Sequence, residues 1–258
     1  MKLTSLVLVA TAIVAVSGTP DDIPADMVKV EGGTYVPMFG ERDKPRTVAP
    51  FLLDRRPVTN GEFLAFVREH PEWKRSSAKR LFADNGYLSH WEGDEVLGDK
   101  APADAPVIRV SWFAARAYLK AHGKRLPRED EWEFAALADA ERTDASEDPD
   151  FLKKILEWYA KPTPAVLPAV SDLPADLRGI QGLHGCVWEW VEDFNNQMVT
   201  GAARSDSTLD RSLFCAGGAV SATDAANYAA FMRYAFRSSL EGNYTVNNLG
   251  FRGARSIP

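Results

Sequence analysis

Hydrophobic and polar residues alternate along the first part of the chain. The segment MVKVEGGTYVPM (27–38) predicts a strand, a turn at Gly32-Gly33 and a second strand, because alternate side chains of a strand face opposite sides of a sheet. PFLLDRRPV (50–58) predicts another short strand. NGEFLAFV then has helical spacing, with Thr59 or Asn60 as the N-cap.

Two further helices follow from the same kind of pattern. Ser111 is the expected N-cap of a helix over SWFAARAYLKAH, which Gly123 ends. We expect Pro127 in the first turn of the next helix, which runs through Trp132 to Leu137.

Two long segments lack a sustained periodic pattern. Residues 74–106 and 138–178 are charged and rich in Gly or Pro, and we expect surface excursions there, with one short amphipathic piece at FLKKILEWYA. No internal repeat or low-complexity linker divides the chain. One irregular, loop-rich α+β domain fits this pattern.

The N-terminal segment MKLTSLVLVATAIVAVSG (1–18) is typical of a secretory signal peptide, since a lysine precedes an apolar run and small residues follow it. A membrane anchor is the alternative, although the run is short for a full span. We therefore expect a signal segment over 1–18, a polar linker over 19–26, and a domain over 27–258 in the periplasm or outside the cell. No other segment is apolar enough to cross a bilayer.

Charge and cysteine content narrow the classes of partner. The 258 residues carry a formal net charge of −6, which disfavours binding to nucleic acid or to an anionic membrane surface. The two cysteines, Cys186 and Cys215, allow a disulfide, two separate thiols, or a metal site with His184.

Five segments together resemble the formylglycine-generating enzyme family, also called the sulfatase-modifying-factor family. They are MVKVEGGTYVPM, FLLDRRPVTNGEFLAF, PVIRVSWFAARAYLKAHGKRLPREDEWEFAA, GIQGLHGCVWEWVEDF and AFRSSLEGNYTVNNLGFRGAR, in the order that the family has them. The resemblance implies a single irregular α+β domain of the C-type-lectin-like kind, with little regular secondary structure.

The family's best-known chemistry is the copper-dependent oxidation of a sulfatase cysteine to formylglycine, which uses two cysteines of its own. Thiolates are soft ligands that suit Cu(I). In this chain Ala219 and Val220 stand where the family has Ser and Trp, and no cysteine lies between Gly218 and Arg237. We therefore expect no copper and no sulfatase-activating oxidase activity of the family's kind.

The resemblance also implies a calcium site around the sequence Trp-Glu-Trp. Its ligands would be the backbone carbonyls of Gly185 and Val187 and the carboxylate of Glu189, but Gly182 replaces a side-chain ligand, so the site is incomplete. The alternative is that Glu189 satisfies buried backbone donors while Trp188 and Trp190 pack on its two sides.

A candidate pocket follows from the replaced copper segment. It comprises Cys186, Ser221, Asp224, Asn227, Tyr228 and Arg237. A solvated loop is the alternative for the four polar residues before Arg237. The arginines at 233, 237 and 252 either bind an anionic ligand or, as is more common, pair internally with carboxylates.

Two functions fit these observations. The first is an exported maturation or accessory factor that acts on a peptide, a metalloprotein or a redox partner, as the resemblance to the family's nitrite-reductase-accessory branch implies. The second is a non-catalytic ligand- or protein-binding module, with its open surface on 74–106 or 138–178. A pocket in 219–230 that is closed and polar would favour the first.

Overall fold

The protein is described by a computed structural model that covers residues 23–37, 44–195 and 225–257; within 225–231 only the side chain of Ala229 is included. The described part contains seven short strands: β1 Met27–Val30, β2 Gly33–Tyr35, β3 Arg46–Val48, β4 Phe51–Asp54, β5 Trp188–Glu189, β6 Leu249–Gly250 and β7 Ala254–Ser256. It contains five α-helices: α1 Asn60–Glu69, α2 Trp112–Ala121, α3 Glu129–Ala135, α4 Pro149–Tyr159 and α5 Ala225–Ser238. The signal segment predicted over 1–18 lies outside the described residues.

The central sheet joins the two ends of the domain. Strand β4 lies between β1 and β7 and is antiparallel to both, so that Leu53 is opposite Val28 on one side and Ala254 on the other. All three side chains are buried in the main hydrophobic core. The arrangement brings the last residues of the chain to the strand that precedes α1.

The two strands predicted around Gly32-Gly33 both form, but they belong to different sheets. Strand β1 pairs with β4, whereas β2 pairs with β3. Gly32 has a φ of 70°, and a Cβ atom there would lie 2.3 Å from the carbonyl oxygen of Val48. Glycine therefore allows the chain to pass from one sheet to the next against the backbone.

The predicted starts of α1 and α2 are confirmed. Thr59 is the N-cap of α1 and shares a capping box with Glu62, and the Ser111 side chain accepts from the backbone N–H of Ala114. Helix α2 ends at Ala121, and Gly123 follows with a φ of 65°. These are local signals, and each lies within four residues of the element that it sets.

The start of α3 differs from the prediction. Arg128 is the N-cap, and its backbone N–H donates to the Glu131 carboxylate over 2.7 Å, which places Pro127 before the helix and not in its first turn. The helix also ends at Ala135, so that Leu137 lies beyond it. The amphipathic piece in 138–178 does form a helix, α4, which Asp148 caps.

The segment 74–106 is irregular, as predicted, but part of it lies in the core. Tyr87, Leu88 and Trp91 are at most 3% exposed. The indole of Trp91 donates to the side-chain oxygen of Asn60, and the Asn60 amide donates to the carbonyl of Pro102. Side chains thus satisfy polar groups that regular structure would otherwise pair, which allows a loop to be buried.

Within the described ranges, no helix combines the length and the apolar character that a bilayer crossing needs.

Candidate functional site

A buried ion pair lies at the centre of the Trp-Glu-Trp segment. Strand β5 runs parallel to β6, with Glu189 opposite Gly250, and this register brings the Glu189 carboxylate to Arg252. The guanidinium donates to both oxygens, from Nε over 2.8 Å to Oε2 and from the terminal nitrogen over 2.8 Å to Oε1. Both side chains are 0% exposed. The indole N–H of Trp132 adds a third donor at 2.8 Å.

Arg252 connects this pair to two other segments. Its guanidinium donates to the carbonyl of Gln181 over 2.7 Å and to the carbonyl of Asp54 at the end of β4 over 3.2 Å. One side chain therefore holds the end of β4, the turn before β5 and the segment between β6 and β7 in a fixed relation. Glu189 does satisfy buried donors, but the prediction that they are backbone groups is wrong, because the donors are the side chains of Trp132 and Arg252.

The calcium ligands predicted at Gly185, Val187 and Glu189 lie on this same segment. Both carboxylate oxygens of Glu189 already accept from Arg252, and Gly182 has no side-chain oxygen to offer. Calcium takes six to eight oxygen ligands, and a guanidinium in contact with the carboxylate repels a second cation. The contacts therefore fit the ion pair better than they fit calcium, and the metal remains a prediction.

The two tryptophans on either side of Glu189 belong to separate aromatic clusters. Trp188 is half-buried and stacks on Tyr159 at a centroid distance of 4.9 Å, with Phe236 at 4.7 Å. Trp190 is fully buried and donates from its indole to the Val110 carbonyl over 2.8 Å. The indole that contacts the carboxylate belongs to Trp132, so the expected packing of Trp188 and Trp190 on both sides of Glu189 is wrong.

A second buried ion cluster joins α3 to α5. Glu133 accepts from Arg233 at 2.6 Å and from Arg237 at 2.8 Å, and Arg237 also lies 3.4 Å from Glu129. Arg233 donates to the Tyr159 hydroxyl over 2.9 Å, which brings α4 into the cluster. Burial acts to raise the pKa of Glu133, but the two guanidiniums outweigh it and hold that pKa at about 2. The prediction that these arginines pair internally is confirmed.

Trp132 lies between the two ion clusters. Its indole N–H binds Glu189, while the Arg237 guanidinium lies 4.6 Å from the centroid of its ring. The ring of His184 meets it edge-on at 5.7 Å. His184 contacts the Ala136 carbonyl through Nε2 over 2.9 Å, and burial, followed by the charge of Arg233, lowers its pKa to about 4.

Cys186 lies outside both clusters, in a small hydrophobic group with Leu173 and Val187. Its side chain is 6% exposed, and burial together with the nearby Glu189 charge raises the pKa of the thiol to about 12. Cys215, its predicted disulfide partner, lies outside the described residues. The disulfide remains a prediction.

The candidate pocket is covered only in part. Ser221 and Asp224 lie outside the described residues, and Asn227 and Tyr228 lie in the first turn of α5, where side chains are not described. Arg237 is 3% exposed and is bound to Glu133. Whether these residues share one pocket therefore stays a prediction.

Sequence similarity agrees with this architecture. The sequence model of the sulfatase-modifying factor enzyme 1-like domain matches residues 15–257. The chain belongs to this family. The fold agrees too, since a crystal structure of CarF superposes with a TM-score of 0.51 over 91% of this chain and 99% of that chain, at 17% identity.

Relatives of this sulfatase-modifying-factor-like chain are named for different activities. The inactive C-alpha-formylglycine-generating enzyme 2 of Bos taurus is 28% identical over 81% of this chain and 78% of its own length. The hercynine oxygenase of Mycobacterium tuberculosis is 32% identical over 56% of this chain and 38% of its own. The serine/threonine-protein kinase pkn1 of Chlamydia caviae is 27% identical over 68% of this chain, but this chain matches only 29% of that kinase. The family thus includes proteins named as inactive and proteins named as other oxygenases.

The sequence does not reveal the partners of the buried acidic residues. The family-like segments of the sequence contain Trp132, Glu133 and Arg252. No local feature of the sequence, however, indicates which groups bind Glu189 or which groups bind Glu133. The partners are 57 to 104 residues apart along the chain, and only the docking of α3 against α5 and of β5 against β6 brings them together.

Proposed function

We propose that this chain is an exported accessory or maturation factor that acts on a protein or peptide partner without thiolate–copper oxidation of a cysteine. The observation that carries the proposal is the lack of any cysteine between Gly218 and Arg237, where oxidising members of the family place their copper ligands. Serine, aspartate and asparagine side chains in this segment are hard oxygen ligands and do not replace soft thiolates.

The described end of this segment supports the proposal. Helix α5 packs against α4 and is bound to α3 through the ion pairs of Arg233 and Arg237, which are 1% and 3% exposed. The last turns of α5 thus serve to attach the segment to the domain. Any surface that recognises a partner then has to lie on the remaining, more exposed parts of the molecule.

The relatives support the same proposal at the level of the family. The Bos taurus protein, which is named as inactive, matches most of this chain and most of its own length. The family scaffold is therefore retained in a protein that is not named for oxidase activity. The hercynine oxygenases match a smaller share of their own length, so they lend less support to an oxygenase activity for this chain.

A deletion experiment tests the proposal. The gene is deleted in the source organism, and exported proteins are compared by intact mass and by metal content in the deletion strain and in a strain that carries the gene again. We expect one exported protein or peptide to lose a modification or its metal in the deletion strain and to regain it on complementation. A partner that binds the chain but keeps its mass and metal would favour the binding module.

The proposal also has a direct biochemical counter-test. The purified chain, supplied with Cu(I) and oxygen, is incubated with a cysteine peptide, and the formylglycine-generating enzyme of Thermomonospora curvata serves as the positive control. We expect no aldehyde from this chain. Aldehyde formation at a rate comparable to that of the control enzyme would overturn the proposal.

A further inference from the structure

The loop from Lys74 to Ala83 presents two cations and a leucine that the described part of the molecule does not use. Lys79 and Arg80 are exposed, and neither side chain has a hydrogen bond or an ion pair with another described residue. Leu81 follows them and is 73% exposed, the largest fraction for a large hydrophobic side chain in the described ranges. An isolated exposed leucine is ordinary, so its surroundings decide whether it matters.

The loop is held in place by its own backbone. The N–H groups of Phe82 and Ala83 both donate to the carbonyl of Lys79, over 2.8 Å and 3.1 Å. The side chain of Ser76 and its backbone N–H bind the two oxygens of Asp94. These bonds fix the backbone of the turn, so a ligand that binds Lys79, Arg80 and Leu81 has to order their side chains but not the backbone.

Packing on both sides of the turn fixes it further. The Phe82 ring meets Phe113 of α2 edge-on at 5.3 Å and also contacts Trp73. Ala83 is 1% exposed. The chain therefore places Phe82 and Ala83 against the domain and leaves Leu81 facing outward immediately before them.

Carboxylates that bind this loop or follow it in sequence are engaged by other groups, and Asp84, directly after the loop, accepts from Thr245. Glu95 pairs with Lys74 at 2.6 Å and with Arg68 at 3.5 Å. Asp94 is bound to Ser76. Within the described ranges the side chains of Lys79 and Arg80 thus have no counter-charge, in a protein whose formal net charge is −6. A positive site of this kind on an acidic protein attracts an acidic ligand locally.

We infer that Lys79, Arg80 and Leu81 form the docking surface for an extended acidic segment of a protein partner, with one apolar side chain of that segment against Leu81. The inference rests on the proposed function, because an accessory factor needs a partner to dock. The surface suits a short segment of opposite charge: two cations select for carboxylates, and the leucine supplies apolar contact that a purely acidic ligand would not need.

Polyanions fit this surface less well. Nucleic-acid binders typically contact roughly six to ten phosphates, and stable membrane attachment needs more than two basic residues and one leucine. The net charge of −6 acts on every anionic ligand alike, so the small number of cations on the surface decides between them. A protein segment is therefore the occupant that the charges favour.

The test measures binding of a defined probe to the chain expressed without residues 1–18. The probe is a fluorescein-labelled synthetic peptide of Glu and Asp residues with a central Leu, followed by fluorescence anisotropy at low and at high ionic strength. The variants are K79E/R80E and, separately, L81S. The matched control is K153E/K154E, which reverses two exposed lysines of α4 and so makes the same change in net charge.

We expect K79E/R80E to weaken binding of the peptide by about tenfold or more at low ionic strength, with a smaller difference at high ionic strength. L81S is expected to weaken binding by about tenfold at both ionic strengths, since apolar contact is not screened by salt. The control should bind as the unmodified chain does. Equal binding by all variants, equal weakening by the control, or tighter binding to anionic vesicles or single-stranded DNA than to the peptide would overturn the inference.

Complementation of the deletion strain separates this inference from the proposed function. We expect K79E/R80E to fail to restore the partner's modification or metal while K153E/K154E restores it. If both variants restore it, the docking surface is wrong and the proposed function stands. If deletion changes no exported protein while the peptide still binds at this loop, the proposed function is wrong and the surface stands.

Discussion

Arg252 donates to both carboxylate oxygens of Glu189, and both side chains are completely buried. Burying two charges is unfavourable in itself, and an ion pair with additional hydrogen bonds offsets that penalty. The additional bonds come from the Trp132 indole to Glu189 and from Arg252 to the carbonyls of Gln181 and Asp54. The pair therefore fixes the relation of β4, β5 and β6.

Replacing Glu189 by glutamine should destabilise the domain strongly. The substitution keeps the shape of the side chain but leaves the buried guanidinium of Arg252 without a counter-charge, which typically costs about 3–5 kcal/mol. Urea unfolding of E189Q is compared with that of E192Q, because Glu192 is only half-buried and pairs with Arg116 at 3.2 Å. A loss for E189Q no larger than that for E192Q would contradict the role of the pair.

Calcium removal should leave the thermal stability unchanged. Both oxygens of Glu189 are bound to donors, and Gly182 supplies no side-chain ligand, so we expect little gain of stability from calcium binding at this site. The melting temperature is measured with a calcium chelator and with millimolar calcium. The prediction would be wrong if calcium raised the melting temperature of the unmodified chain and of E192Q but not that of E189Q. E189Q must first be shown to fold. That result would show that Glu189 holds the metal.

The Trp132 indole should contribute more than an ordinary hydrogen bond. Trp132→Phe keeps an aromatic ring but removes the donor to a buried carboxylate, and such a bond to a charged group is worth about 1.5–3 kcal/mol. Trp112→Phe is the matched control, because its indole donates to the neutral carbonyl of Val191 at 3.0 Å, where about 0.5–1.5 kcal/mol is expected. Equal losses in urea unfolding would show that the charge of Glu189 adds nothing.

The sequence predicts local features of this fold much better than distant contacts. Thr59 and Ser111 cap helices that begin one residue later, so a few neighbouring residues determine both starts. Glu189 and Arg252 are 63 residues apart, and only the parallel register of β5 and β6 joins them. A charged residue in the sequence indicates that it needs a partner when buried, but not which partner it finds.

Irregular backbone is the other limit of sequence reasoning. The segment 74–106 has the composition of a surface loop, and its charged residues are indeed largely exposed, yet Trp91 lies in the core. Its burial depends on Asn60, whose side chain binds both the Trp91 indole and the carbonyls of the loop. Hydrophobic periodicity cannot reveal this, because the pattern that periodicity detects belongs to helices and strands.

His184 should make the domain less stable as the pH falls from about 6.5 to about 4. The pKa of His184 is lowered to about 4 in the folded protein. Between pH 6.5 and pH 4 the unfolded chain therefore binds a proton that the folded protein does not, and the free energy of unfolding decreases as the pH decreases. Over this range His184 lowers the free energy of unfolding by about 3 kcal/mol. His184→Phe should flatten the dependence measured by urea unfolding, whereas His122→Gln, at an exposed position, should keep it. An unchanged slope in His184→Phe would refute the assignment.

Cys186 should react slowly with thiol reagents in the folded protein. Its side chain is 6% exposed, and its pKa is raised to about 12 by burial, so little thiolate is present at neutral pH. Alkylation by iodoacetamide is followed by intact mass, with and without urea and with and without a reductant. Slow reaction in the folded state and fast reaction in urea alone would establish a buried thiol. If Cys186 is alkylated in urea only after a reductant is added, the predicted disulfide with Cys215 is present instead. Rapid alkylation of Cys186 in the folded protein, located by peptide mapping, would contradict its burial.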